Sequence, residues 1–185
     1  IREIGEDFTF YTSRDGTRLA AHIFEAPGDD PRAAVLIAGA MGVKQDYYAA
    51  FAAWLAGQGF TALTFDYRGV GASRPEAMRR SLRGFDADLF DWAGDVDAAL
   101  AHLLVAAPRA PLYVVGHSLG AQLPGMLEHR DRIAGLVSVA AGSGYWRDNA
   151  PQLKRMVLYF WHVLVPVGTA LFGYFPGKRI GKVGN

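Results

Sequence analysis

Apolar and polar positions along this chain switch between a two-residue and a three-to-four-residue period, and the switches outline an alternating succession of strands and helices. Residues 7–28 hold two short runs on either side of Asp15-Gly16, a pair that accepts positive φ, and predict a β-hairpin. AAVLIAG, residues 33–39, is a continuous apolar run ending in glycine, the pattern of a strand buried on both faces. In KQDYYAAFAAWLAGQGF, residues 44–60, Tyr48, Phe51, Ala52 and Leu55 share one helical face, and Gly57 and Gly59 end the helix. FTALTFD, residues 60–66, is the next strand. The helix after it, residues 88–107, carries Leu89, Trp92, Val96, Leu100 and Leu103 on one side and its acids on the other. LYVVG (112–116) reads as a strand, LGAQLPGMLEHR (119–130) as a helix and IAGLVSVAAG (133–142) as a strand. This order predicts an α/β fold, a mostly parallel sheet with helices on both faces and right-handed crossovers.

The pattern breaks in the tail. MVLYFWHVLVPVGTALFGYF, residues 156–175, is apolar throughout, with Lys154 and Arg155 before it and Lys178 and Arg179 after it. Its length and flanks meet the minimum for a membrane span. Pro166, Gly168 and Gly173 interrupt it, and a pair of short apolar helices covering a pocket is the preferred reading over a membrane segment. The final GKRIGKVGN reads as loop. The expected organisation is a core over 1–144 and an apolar helical cap over 145–185.

Bulk properties narrow the function. A formal net charge of +1 gives no electrostatic ground for a nucleic-acid partner. Arg68, Arg74, Arg79, Arg80 and Arg83 gather in one loop, but Glu76, Asp86 and Asp88 lie among them, which reads as a solvated loop. With no cysteine, disulfides and thiolate chemistry are excluded. No His/Asp/Glu spacing resembles a metal site, and no cofactor is expected. The first ten residues are charged and lack the apolar region of a signal peptide, so a cytoplasmic location is expected.

The chemistry centres on Gly116-His117-Ser118-Leu119-Gly120, a G-x-S-x-G pentapeptide with a strand before it and a helix after it. That context predicts a sharp turn with Ser118 at its apex in a positive-φ conformation. The small residues on either side let strand and helix pass closely, and the helix dipole points at the reacting centre. The alternative is a tight turn in which Ser118 only caps the helix.

GHSLGAQ (116–122), DYRGVGAS (66–73) and LIAGAMGVKQDYY (36–48) together resemble the α/β-hydrolase superfamily, and within it a bacterial subgroup of predicted serine hydrolases. The resemblance runs from about Phe8 to Gly144. It implies a catalytic Ser118, a structural D-x-R-G-x-G-x-S loop held by Asp66 and Arg68, and an oxyanion hole built from two backbone amides. Leu119 would supply one amide, and Met41, in preference to Ala40, the other. Where the commoner pattern has His-Gly, this chain has Ala38-Gly39, and Pro124 interrupts the elbow helix.

A serine needs a base, and the resemblance places an acid and then a histidine after the nucleophile. His117 adjoins Ser118 but should point away from the apex, and His129, His22 and His102 fall at unsuitable places. Asp148 and His162 have the right order, but His162 lies in the apolar run. The expected explanation is a C-terminally incomplete α/β-hydrolase fold whose last strands, with the acid and histidine, lie beyond Asn185. The function so implied is cleavage of a small ester or thioester through an acyl-Ser118 intermediate. A non-catalytic binding or scaffold protein on the same fold is the alternative. A cap without its supporting strands would expose apolar surface and could drive homodimerisation.

Overall fold

The computed structural model describes residues 8–175, so the readings of the opening residues and of the closing loop lie outside the described residues. Compactness divides the chain into two units, one of residues 1–74 and 87–141, the other of residues 75–86 and 142–185.

The first unit is a six-stranded sheet. Its strands are β1 (Thr9–Thr12), β2 (Arg18–Phe24), β3 (Ala33–Ala38), β4 (Phe60–Phe65), β5 (Leu112–His117) and β6 (Ile133–Val139), in the spatial order β1-β2-β4-β3-β5-β6. β1 and β2 form the predicted antiparallel hairpin, with Gly16 at φ 86° in its turn, and β2 lies antiparallel to β4. β4, β3, β5 and β6 run parallel. α1 (Ala49–Gly57) and α2 (Leu89–Ala106) cover opposite faces, which is why β3 is apolar at every position. Its Val35 and Ile37 pack with Tyr48, Ala52 and Leu55 beside α1, while Ala34, Leu36 and Ala38 pack with Val96, Leu100 and Leu103 of α2. Leu100 is fully buried in that larger cluster, and trimming such a side chain to alanine costs about 2–5 kcal/mol.

α2 begins where its capping box dictates. The amides of Phe90 and Asp91 donate to Asp88 Oδ1 at 2.7 and 3.0 Å, and the Asp88 amide donates back to Asp91 Oδ2 at 2.9 Å. Leu89, in this first turn, is exposed rather than on the buried face. Phe51 of α1 is likewise 41 % exposed. It borders an apolar groove of about 840 Å³, shared with Val35, Ile37, Phe60, Tyr113 and Val137, where no helix covers β5 and β6 among the described residues. β6 is an edge strand with Leu136, Val137 and Val139 exposed.

In the second unit the apolar tail is one continuous helix, α4 (Pro151–Tyr159) and α5 (Val165–Phe172) joined by a π-helical turn at Phe160–Leu164. Pro166 accounts for the wide turn. A proline ring inside a helix clashes with the carbonyl four residues back, here His162, and widening the preceding turn relieves the clash. Gly173, at φ 78°, ends the helix in the left-handed conformation and donates its amide to Thr169 O at 2.7 Å. The helix is long and apolar enough to cross a membrane by length and composition, and most of its side chains are exposed.

Candidate active site

Two adjacent parallel strands deliver two loops to one edge of the sheet. β3 and β5 pair in the register Ala38↔Gly116, so Gly39-Ala40-Met41 and His117-Ser118-Leu119 leave the sheet side by side at its carboxyl edge. Open α/β sheets bind ligands at this edge.

Ser118 occupies the apex with φ 52° and ψ −112°, between β5 and α3 (Leu119–Gln122). Such a conformation is costly for a residue with a Cβ and persists only where its surroundings impose it. Those surroundings are close contacts across the turn. A Cβ built on Gly116 would stand 2.5 Å from Ala121 Cα, and one on Gly120 would stand 2.0 Å from Ala38 O. The Ser118 amide donates to Val139 O at 2.9 Å, anchoring the apex to β6, and Ser118 O accepts from the Ala121 amide at 3.1 Å. The glycines of the pentapeptide are thus steric requirements. Pro124 stops α3 after one turn and starts a 3-10 turn over Pro124–Met126, so the long helix expected over 119–130 is absent. Leu119, first in α3, carries an amide of the helix's first turn, which has no intrahelical acceptor.

The opposite loop is set by Tyr48. Its hydroxyl accepts from the Ala40 amide at 2.8 Å and lies 2.9 Å from His117 Nδ1. Burial, opposed by the Ala40 hydrogen bond, raises the Tyr48 pKa and keeps the phenol neutral. The Ala40 amide is therefore engaged. Met41 follows it in a tight turn, closed by the Val43 amide donating to Ala40 O at 3.1 Å, with Gly42 at φ 73°.

The 66–73 loop braces the Tyr48 side of the site. Asp66, buried, accepts from the Gln45 amide (2.9 Å), Gln45 Nε2 (3.2 Å) and the Ala72 amide (2.8 Å). Burial raises the Asp66 pKa against these donors. Gly71 is pressed onto it: an added Cβ would meet Asp66 Oδ2 at 2.2 Å. Arg68 overturns the reading of a solvated arginine. It is buried, with Nε and Nη2 donating to Asp95 Oδ1 at 2.9 and 2.8 Å and Nη1 donating to Asp15 and Asp91 at 2.7 and 2.9 Å. Burial would lower the Arg68 pKa, but Asp95 and Asp15 outweigh it and raise it. Asp95 is fully buried although it belongs to the acids placed on the polar side of α2. Periodicity could not show this, because its partner lies 27 residues away. Gln45 was missed for the same reason.

No histidine is hydrogen-bonded to Ser118 among the described residues. His117 turns to Tyr48, and His129 Nδ1 pairs with Asp97 Oδ2 at 2.8 Å. His102 stacks on Tyr11 with its Nε2 buried and unpartnered, and His22 stacks on Phe24. His162 lies exposed in the π-helical turn, and Asp148 accepts from Ser143 Oγ instead. No group of three metal-ligating side chains occurs among the described residues.

Comparison with known proteins agrees with this layout. A family model described as serine aminopeptidase, S33, matches residues 29–171. No curated protein matches the sequence. Among solved structures, a thermostable carboxyl esterase from Bacillus coagulans superposes with a TM-score of 0.66 at 18 % identity, over 95 % of this chain and 58 % of that one. A soluble variant of monoglyceride lipase from Saccharomyces cerevisiae gives 0.67 at 19 %, over 88 % and 52 %. The α/β hydrolase GrgF from Penicillium sp. sh18 gives 0.58 at 21 %, over 90 % and 55 %. The chain thus spans little more than half the length of these neighbours, and at such identities they speak for the fold alone. With a family match over most of its length and a G-x-S-x-G turn in the strained geometry described above, the chain belongs to the S33 serine aminopeptidase family of α/β serine hydrolases.

Proposed function

We propose that Ser118 is the nucleophile of a hydrolase that cleaves a small carboxylic ester or thioester through an acyl-Ser118 intermediate. The observation that carries this reading is the backbone of Ser118, held at positive φ by contacts that only glycines at 116 and 120 permit. A serine that merely capped a helix would not need that strain. In the reaction Ser118 Oγ adds to the substrate carbonyl, its proton passes to a general base, and the alcohol or thiol leaves with a proton returned. The oxyanion is held by the amides of Leu119 and Met41. Met41 is preferred because the Ala40 amide already donates to Tyr48. A carboxyl esterase and a monoglyceride lipase share this fold, which makes an ester the first substrate to test, beside the peptide that the family description suggests.

The base and its acid belong, in this proposal, to polypeptide outside these 185 residues. Each of the five histidines here is placed elsewhere, and this chain matches only 58 % and 52 % of two neighbours of the same fold. A reading as a non-catalytic binding protein is favoured by that same missing base. A fluorophosphonate probe separates the two. It reacts covalently with an activated serine, so Ser118-dependent labelling, absent in Ser118→Ala, supports the hydrolase. Equal labelling of both proteins, or none even for a longer chain that includes an acid and a histidine, overturns it.

A further inference from the structure

We infer that the second unit is a docking surface for an anionic lipid bilayer, with the 151–172 helix lying in the plane of the membrane interface. Leu153, Met156, Tyr159, Val163, Val167 and Leu171 follow one another at three- and four-residue intervals, so they form one stripe along the helix. All six are exposed, from 41 to 65 %. Leu158, Leu164 and Gly168 take the sheltered side. An apolar stripe six residues long is larger than isolated surface hydrophobes require.

Charge identifies the occupant. By sequence, residues 75–86 and 142–185 hold nine Lys/Arg against three Asp/Glu, whereas the rest of the chain holds ten against fifteen. The near-neutral chain is therefore split into a basic unit and an acidic one. The basic groups flank the stripe: Lys154 and Arg155 stand in the first turns of the helix, and Arg83 Nη2 donates to Leu171 O at 3.3 Å at its other end. Arg80, exposed, lies three residues before Arg83 in the same loop. Apolar side chains in a row with cations at both ends match the acyl boundary and the phosphate layer of a leaflet. A second copy docked through the same stripe would instead set like charge against like charge. Lys154 and Arg155 lie within the helix rather than beyond its end, which favours a helix lying on the surface over one crossing it.

The inference stands independently of catalysis by Ser118. It is tested by co-sedimentation of the chain with phosphatidylcholine vesicles containing phosphatidylglycerol, and with vesicles of phosphatidylcholine alone. Binding to the anionic vesicles is expected, at least about tenfold tighter than to the neutral ones and weakened by salt. Arg80→Glu with Arg155→Glu should weaken it by roughly tenfold or more, and Val163→Glu with Val167→Glu should abolish it. Ser118→Ala, and Val137→Glu on the open sheet face of the other unit, should leave it unchanged. In the unaltered chain, brominated lipid should quench a fluorescence component that Trp161→Phe removes, which does not depend on the charged variants folding. Absence of binding to anionic vesicles overturns the inference. So does equal binding to both vesicle types, loss of binding on Val137→Glu, or sedimentation as a dimer that Val163→Glu dissociates.

Discussion

Gly120 packs against β3 so tightly that a Cβ on it would stand 2.0 Å from the carbonyl oxygen of Ala38. The obstacle is backbone in a central strand, which cannot swing aside as a side chain would. Gly120→Ala must therefore move α3 or β3, and both carry the candidate site. Overpacking of this kind costs about 1–3 kcal/mol and occasionally more. We expect a urea midpoint lowered by that amount and, in a chain carrying the base, loss of fluorophosphonate labelling at Ser118. Gly125→Ala, where an added Cβ meets nothing within 4 Å, is the control and should leave both unchanged within error.

Met41→Pro probes the second oxyanion donor. Proline removes the amide but suits the second position of a tight turn, which Met41 holds between Ala40 and Gly42. Loss of one oxyanion donor typically lowers turnover by about 100- to 1,000-fold. That drop, in labelling rate or in ester turnover of a chain carrying the base, is expected with thermal stability retained. An unchanged rate would remove Met41 from the assignment.

Tyr48→Phe deletes one oxygen shared by the Ala40 amide and His117 Nδ1. Leaving a buried amide without its acceptor costs about 1–3 kcal/mol. A fall in denaturation midpoint within that range is expected. A neutral variant would show that water replaces the hydroxyl.

Arg68→Ala should be among the most destabilising single changes, because it strands the fully buried Asp95. Breaking a buried pair from one side costs about 3–5 kcal/mol. Arg68→Lys should recover little, since an ammonium cannot span Asp95, Asp15 and Asp91 as the guanidinium fork does. Replacing both members, as Arg68→Met with Asp95→Leu, should be milder than Arg68→Ala. Equilibrium unfolding of the four proteins checks this.

Asp15 sets part of the acid limb of stability. Slight burial raises its pKa, but the Thr17 amide and Arg68 outweigh this and bring it from 3.8 to about 2. A carboxylate depressed by folding contributes stability that is complete above its unfolded value. That contribution is lost as pH falls through the folded one. The stability difference between the native chain and Asp15→Asn should accordingly be constant above about pH 4 and shrink between there and pH 2. A difference independent of pH over that window would remove Asp15 from the acid response.

Local sequence determined the element types and the turn at Ser118. The two-residue and helical periods, Asp15-Gly16, and the glycines around the serine act over a few bonds, and the hairpin, the parallel strands and the positive φ follow from them. Pro124 and Pro166 also acted locally, cutting α3 to one turn and widening the helix before α5.

What the tertiary structure alone decided are partnerships between distant residues. Asp95 lies on the polar side of α2 by period, yet it is buried because Arg68 arrives from the loop after β4. Gln45 and Tyr48 open a helix in sequence and only in space become the brace of Asp66 and the acceptor of the Ala40 amide. The exposure of the apolar stripe at 153–171 is of the same kind. Hydrophobic period states that a face is apolar, and only the packing of the whole chain decides whether anything covers it.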